Sequence, residues 1–191
     1  MLQRFGGILC LLLAGCAAQA RLGSVDVFDE STGMTAGALP APIAFMETGM
    51  FEDPANPGPK QASMAYLGPV EWDRSGEIKY TLWLQVAPGV GGQRLDDLRT
   101  PGAVNLRLDD GSMHLSAADL SKVTSHPYQS REPVGQAAYF ALDTAMLKRM
   151  ADSQKIVLSL RAADLSEVDF VPTHESRDAL QQFIRDRSIG E

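Results

Sequence analysis

The feature that most limits the fold is a run of strict alternation beginning at Glu77. Ile78, Tyr80, Leu82, Leu84 and Val86 are apolar, with Lys79, Thr81, Trp83 and Gln85 between them. Period two places the first set on one face of an extended chain, so this segment reads as a half-buried strand. Val104, Leu106 and Leu108 repeat the pattern, and Met113 and Leu115 continue it after Asp110-Gly111. An Asp-Gly pair supplies the positive φ angles of a tight turn, which predicts a hairpin over 103–116.

Downstream, residues 138–142 read as a strand, and Asp143 or Thr144 caps a short helix over 143–153. Leu142, Met146, Leu147 and Met150 share its apolar side. Ile156, Leu158 and Leu160 alternate again, and another strand is expected over 168–171. The connection between 142 and 156 is long enough for a parallel crossover but equally able to pass between two sheets. Pro172 ends the last strand. A final helix over 174–188 carries Ala179, Leu180, Phe183 and Ile184 as one stripe, with a polar face of mixed charge.

Residues 17–77 contrast with this: Pro40, Pro42, Pro54, Pro57 and Pro59 and many glycines break regular structure. Only Val25-Asp26-Val27-Phe28, as an edge strand, and Ile43 to Met46 read as strands there. The fold class that emerges is α+β, mainly antiparallel sheet, sandwich-like, with two short packed helices near the C-terminus. At 191 residues, 45% hydrophobic and 21% charged, the chain suits one globular domain.

The N-terminus has a different grammar. Arg4 precedes an apolar stretch from Phe5 to Ala14, half the roughly 20 residues that a membrane span needs. A basic start, a short apolar middle and small residues at the end are the anatomy of a secretory signal. Leu13-Ala14-Gly15-Cys16 resembles the lipobox of bacterial lipoproteins. Small Ala14 and Gly15 leave the backbone beside Cys16 open to a protease, and a thiolate at Cys16 is a soft nucleophile for a diacylglyceryl group. Cys10 follows bulky Ile8 and Leu9 and does not fit.

The resemblance implies cleavage between Gly15 and Cys16, with S-diacylglycerol and N-acyl groups on Cys16. It divides the chain into a signal peptide (1–15), a lipidated tether (16–24) and a single periplasmic domain (25–191). Residues 17–19, Ala-Ala-Gln, lack the Asp that retains Gram-negative lipoproteins in the inner membrane, so the resemblance points to outer-membrane sorting. Because lipid consumes the one remaining Cys, no internal disulfide is expected.

The formal charge is −7, and one unit more negative once residues 1–15, which carry only Arg4, are removed. Such a balance offers no basic surface to nucleic acid. The three histidines, His114, His126 and His174, show no metal-ligand spacing. Asp96-Asp97 and Asp109-Asp110 are paired carboxylates, but sequence neighbours on a turn point apart and belong to turn chemistry. No Gly-x-Ser-x-Gly elbow occurs, and the glycines of 89–92 lack the lysine of a phosphate loop. Met34, Met46, Met50 and Met64 lack accompanying histidines and read as filling a core edge rather than holding copper.

Trp83 falls on the polar side of its strand. It is expected either exposed, with Tyr66 or Trp72 in a patch for a partner, or packed under residues 50–72. The chain is therefore read as a non-enzymatic envelope lipoprotein without cofactor. Its expected role is an interaction or assembly module at the periplasmic face of the outer membrane, with envelope proteins as partners. The alternative is a binding protein for a small apolar or lipid ligand, and the third reading is an enzyme of unfamiliar type.

Overall fold

The computed structural model describes residues 23–48, 62–89, 94–129, 135–174 and 176–190. The lipobox, Cys10, Cys16 and Met50 lie outside them. Ten strands and two helices follow in order: β1 (Val25–Asp29), β2 (Met34–Ala38), β3 (Ile43–Glu47), β4 (Met64–Arg74), β5 (Glu77–Ala87), β6 (Val104–Leu108), β7 (Gly111–His114), β8 (Gln136–Leu142), α1 (Thr144–Asp152), β9 (Val157–Arg161), β10 (Glu167–Pro172) and α2 (Ser176–Asp186). Every strand pairing among the described residues is antiparallel. The fold is α+β, dominated by antiparallel sheet, with both helices near the C-terminus.

β4 organises the sheet. Along one edge it pairs with β5 over its whole length. Along the other it pairs first with β3, from Met64 to Leu67, and then with β2, from Val70 to Asp73. One half of the sheet is thus β1-β2-β4-β5-β8, and the other leaves β4 through β3, β10, β9, β6 and β7. β8 and β9 lie in different halves, so the α1 connection passes between them and is not a parallel crossover. After β7 the chain runs on to β8, meeting it at the single bridge Ala117–Phe140.

The sequence did not suggest β4 or β2. β4 carries Gly68-Pro69, and proline is normally confined to edge strands because it cannot donate to a ladder. Here Pro69 stands where the neighbour changes from β3 to β2, so the ladder is already broken beside it. β5 is also more than half-buried: from Thr81 to Val86 both faces are covered, because a loop over residues 115–129 lies on the side expected to meet water. The β6–β7 turn is Asp109-Asp110, with Leu108 paired to Gly111. Of these residues only Gly111 has positive φ, so the turn lies one place earlier than the Asp110-Gly111 reading and lacks the positive φ at Asp110 that it required.

Phe45, Phe140, Phe170, Leu67, Leu82, Leu106, Leu158 and Leu160 form one continuous core with Leu147 and Met150 of α1 and Leu180 and Phe183 of α2. Asp143 caps α1, its Oδ1 accepting the Met146 N–H at 2.6 Å. Among the described residues no helix is long and apolar enough to cross a membrane.

Candidate functional site: an aromatic cleft beneath a pinned loop

The outer face of β4, β5 and β8 carries Gly68, Trp83 and Tyr139 side by side, in register across three strands. Gly68 has no side chain, and Tyr128 from the 115–129 loop fills the space. A β-carbon on Gly68 would run into the Tyr128 ring. That ring packs on Trp83 with centroids 5.2 Å apart and planes tilted by 33°. Its hydroxyl donates to the Pro69 carbonyl at 3.1 Å and accepts from the Leu39 N–H at 3.0 Å. Tyr128 thereby bridges the break where β4 exchanges one neighbour for the other. Burial pushes its hydroxyl far above the ordinary tyrosine range.

The other fastening of the loop is Asp29, at the end of β1 and fully buried. Its Oδ1 accepts from Ser31 Oγ at 2.6 Å, Thr32 N at 2.9 Å and Thr32 Oγ1 at 2.8 Å. Its Oδ2 accepts from the Thr124 N–H at 2.6 Å, Thr124 Oγ1 at 3.0 Å and the Ser125 N–H. The Ser31 hydrogen bond, joined by those from Ser125, Thr32 and Thr124, outweighs desolvation and holds the carboxyl far below the usual carboxylate range. One carboxylate therefore ties the β1–β2 turn to the loop. A third attachment is ladder-like: Ala118 N–H donates to Tyr139 O at 2.7 Å and Ala141 N–H to Ser116 O at 2.8 Å.

Beneath this loop lies an open cleft of about 610 Å³, lined by Trp83, Tyr139, His126, Leu120, Arg99 and Asp119. His126 stacks on Tyr139, centroids 5.5 Å apart at 28°, and its Nδ1 pairs with the Tyr139 hydroxyl at 3.1 Å. Burial pushes that hydroxyl far up, so it stays protonated. Arg99 donates to the Ala137 carbonyl at 3.3 Å. Asp119 accepts the Ser121 N–H at 3.0 Å, which holds its carboxyl below the usual range. These groups can stack a flat ligand and hydrogen-bond it.

Across the segment 118–120 is a second open cleft, of about 740 Å³, with a more apolar wall that includes Met34, Trp72, Ile78, Leu142 and Met146.

The contact patch expected at Trp72 and Trp83 is corrected by burial: the two residues are 2% and 3% exposed. Trp72 donates to Thr81 Oγ1 at 2.9 Å and meets Tyr139 edge-on at 5.8 Å. What covers Trp83 is Tyr128. Residues 50–72 do not serve as a cover where they are described, since from Met64 on they are β4 itself.

The histidines lie apart. His114 is exposed on β7 and pairs with Asn105 across the hairpin, while His174 precedes α2 at a shallow cleft with Gln154 and Arg177. Among the described residues no three His, Cys, Asp or Glu side chains converge on a metal-sized point.

The paired carboxylates do point apart, but to structural partners. Asp96 pairs with Arg161 at 2.7 Å and Asp97 accepts the Arg99 N–H at 2.9 Å. Asp109 accepts the Gln154 N–H at 2.5 Å, and Asp110 takes Arg149 in a fork at 2.8 and 2.9 Å. The β6–β7 turn is thus stapled to the end of α1. Met46 is 41% exposed and stands opposite Met64 at the far end of β4 from Met34. Among the described residues Met34 is thus separate from the Met46–Met64 pair, and Met46 fills no core.

Sequence reasoning missed Asp29 and Tyr128. Asp29 had a local signal, since Asp-x-Ser-Thr is the composition of a side-chain-closed turn. Tyr128 had none, because its partners come from residues far away in the chain. Compared with protein-family models, curated proteins and solved structures, the chain finds no match.

Proposed function

We propose that this chain is a lipid-anchored envelope protein whose domain serves as a non-catalytic interaction or assembly module. In a Gram-negative host it would sit at the periplasmic face of the outer membrane. The observation that carries the reading is Leu13-Ala14-Gly15-Cys16 at the end of a short apolar run. The domain adds support of a second kind. Four of its carboxylates are committed to structural tasks: Asp29 to the loop, Asp109 and Asp110 to α1, and Asp96 to Arg161.

The test is the mass and location of the native protein. Material purified from membranes should begin at residue 16 and carry acyl chains on Cys16. Cys16→Ser should abolish acylation and leave the protein outside the lipid fraction. A mature chain with a free thiol at residue 16, or one retaining Met1, would refute the anchor. Crosslinking in intact cells then identifies the partner.

A second reading, a receptor for a small apolar or lipid ligand, is favoured by the cleft along Met34, Trp72, Leu142 and Met146. Titration with a medium-chain fatty acid should change the emission of Trp72. Unchanged emission up to the solubility limit would remove this reading.

A further inference from the structure

We propose that the corner of the sheet built by β1 and the β4–β5 hairpin rests on the bilayer, with Phe28 and Ile78 entering the headgroup region. The inference rests on the anchor reading at Cys16 and adds an orientation to it.

Five large hydrophobic residues are exposed among the described residues: Val25, Phe28, Met46, Ile78 and Leu165. Singly exposed apolar residues need no explanation, but two of these five, Phe28 and Ile78, lie at one corner on one face. Phe28 pairs with Thr35, Thr35 with Asp73, and Asp73 with Ile78. Partners in register share a face, so Phe28 and Ile78 stand on the same side, three strand spacings or about 14 Å apart. They are 59% and 49% exposed, and β1 is the last strand of its half of the sheet.

The length of chain before it bounds how far this corner can stand from a lipid on Cys16. Nine residue steps separate Cys16 from Val25. Even fully extended they reach at most about 32 Å. A lipid on Cys16 therefore keeps β1 near the membrane whatever path the tether takes. Met46 lies at the opposite end of β4 from the Phe28–Ile78 row.

The charges at the corner suit a neutral surface. Asp26 is paired with Arg187 at 2.6 Å and Glu77 with Lys79 at 2.8 Å, while Asp73, in the row between Phe28 and Ile78, accepts the Gly76 N–H at 2.7 Å. The chain as a whole is acidic, so attraction to anionic lipid is not the driving force. Aromatic and aliphatic side chains entering the interface are.

The experiment uses the full lipidated protein, purified from membranes and reconstituted into phosphatidylcholine vesicles with brominated acyl chains. Phe28→Trp and Ile78→Trp are two independent probes, so the test survives if one variant misfolds. Met46→Trp is the control. Quenching is read above that of the parent, whose Trp72 and Trp83 are buried.

The first two probes should lose at least half of their added emission and shift to the blue, while Met46→Trp stays unquenched. Equal quenching at all three sites would overturn the fixed orientation. A blue shift without quenching at Phe28→Trp and Ile78→Trp would mean that a protein surface or a second copy covers the corner, and would overturn lipid docking. Absence of both signals with acylated Cys16 confirmed by mass overturns the docking alone. An unacylated Cys16 removes the anchor and the docking with it.

Discussion

Replacing Tyr128 by Phe isolates the hydroxyl that spans the break between β2 and β3. The ring remains, so its packing on Trp83 and over Gly68 is retained. What is lost is the acceptor for Leu39 N–H and the donor to Pro69 C=O, both at a buried site. A net hydrogen bond contributes about 1 kcal/mol, and a buried polar group left without a partner costs about 1–3 kcal/mol. Two backbone groups are stranded here, so Tyr128→Phe should destabilise the domain by about 2–3 kcal/mol. For a domain of this size that is a fall in Tm of about 4–12 °C.

Urea unfolding followed by far-UV circular dichroism measures the free energy, and an unchanged m-value confirms that only stability moved. Tyr128→Ala removes the ring as well and should cost about 3–5 kcal/mol. Gly68→Ala completes the set. Its methyl group collides with the ring in the parent, an overpacking cost of about 1–3 kcal/mol, and should be nearly free when residue 128 is Ala. A Tyr128→Phe protein within about 0.5 kcal/mol of the parent, or a Gly68→Ala cost that persists in Tyr128→Ala, would refute the reasoning, since contacting residues must couple.

Two further outcomes follow from buried charge. Asp29 has a folded pKa far below its unfolded value near 3.9. Its stabilisation is therefore complete above about pH 4 and is lost progressively as pH falls toward the folded value. Asp29→Asn should be less stable at pH 7, lose less on going from pH 5 to pH 3, and exchange the Thr124 and Ser125 amides faster; equal acid slopes in the two proteins would argue against this. Farther back along β1, Arg187 lies across Gly37, 3.5 Å from the buried Glu71 and paired to Asp26. Burial and then the Glu71 charge push the neighbouring Tyr80 hydroxyl up to about 12. Arg187→Ala leaves Glu71 without its cation and should cost about 3 kcal/mol, with Glu71→Gln in the same chain recovering part of it in chemical denaturation.

The sequence disclosed the C-terminal two-thirds of the fold because each element there obeys one period throughout. The alternations at 78–86, 104–108 and 156–160 and the stripe Leu180–Phe183 needed no tertiary knowledge. β4 was hidden by Gly68-Pro69, which forbid a strand by local rules and are tolerated only because the neighbouring ladder is interrupted there. Trp83 misled for a related reason. Alternation tells which residues share a face, not whether a loop covers it, and the covering residue, Tyr128, follows His126-Pro127 in a stretch without any period. Half of the Asp29 site was legible, in Ser31 and Thr32; Thr124 and Ser125 were not, because nothing local links them to residue 29.

The manner in which β4 is shared has a consequence for how the chain comes to be folded. Its first half is flanked by β3, and β3 in turn leans on β10, through pairs such as Phe45 with Pro172. The earliest strands thus complete their neighbourhood only with nearly the last residues of the chain. Contacts between such distant segments carry a large loop-closure entropy and form slowly. An N-terminal stretch ending at Ala87 can pair β1 to β5 among themselves, but the outer edge of β3 stays open. That edge closes only when β10 arrives, so joining the two halves of the sheet waits for the C-terminal end of the chain.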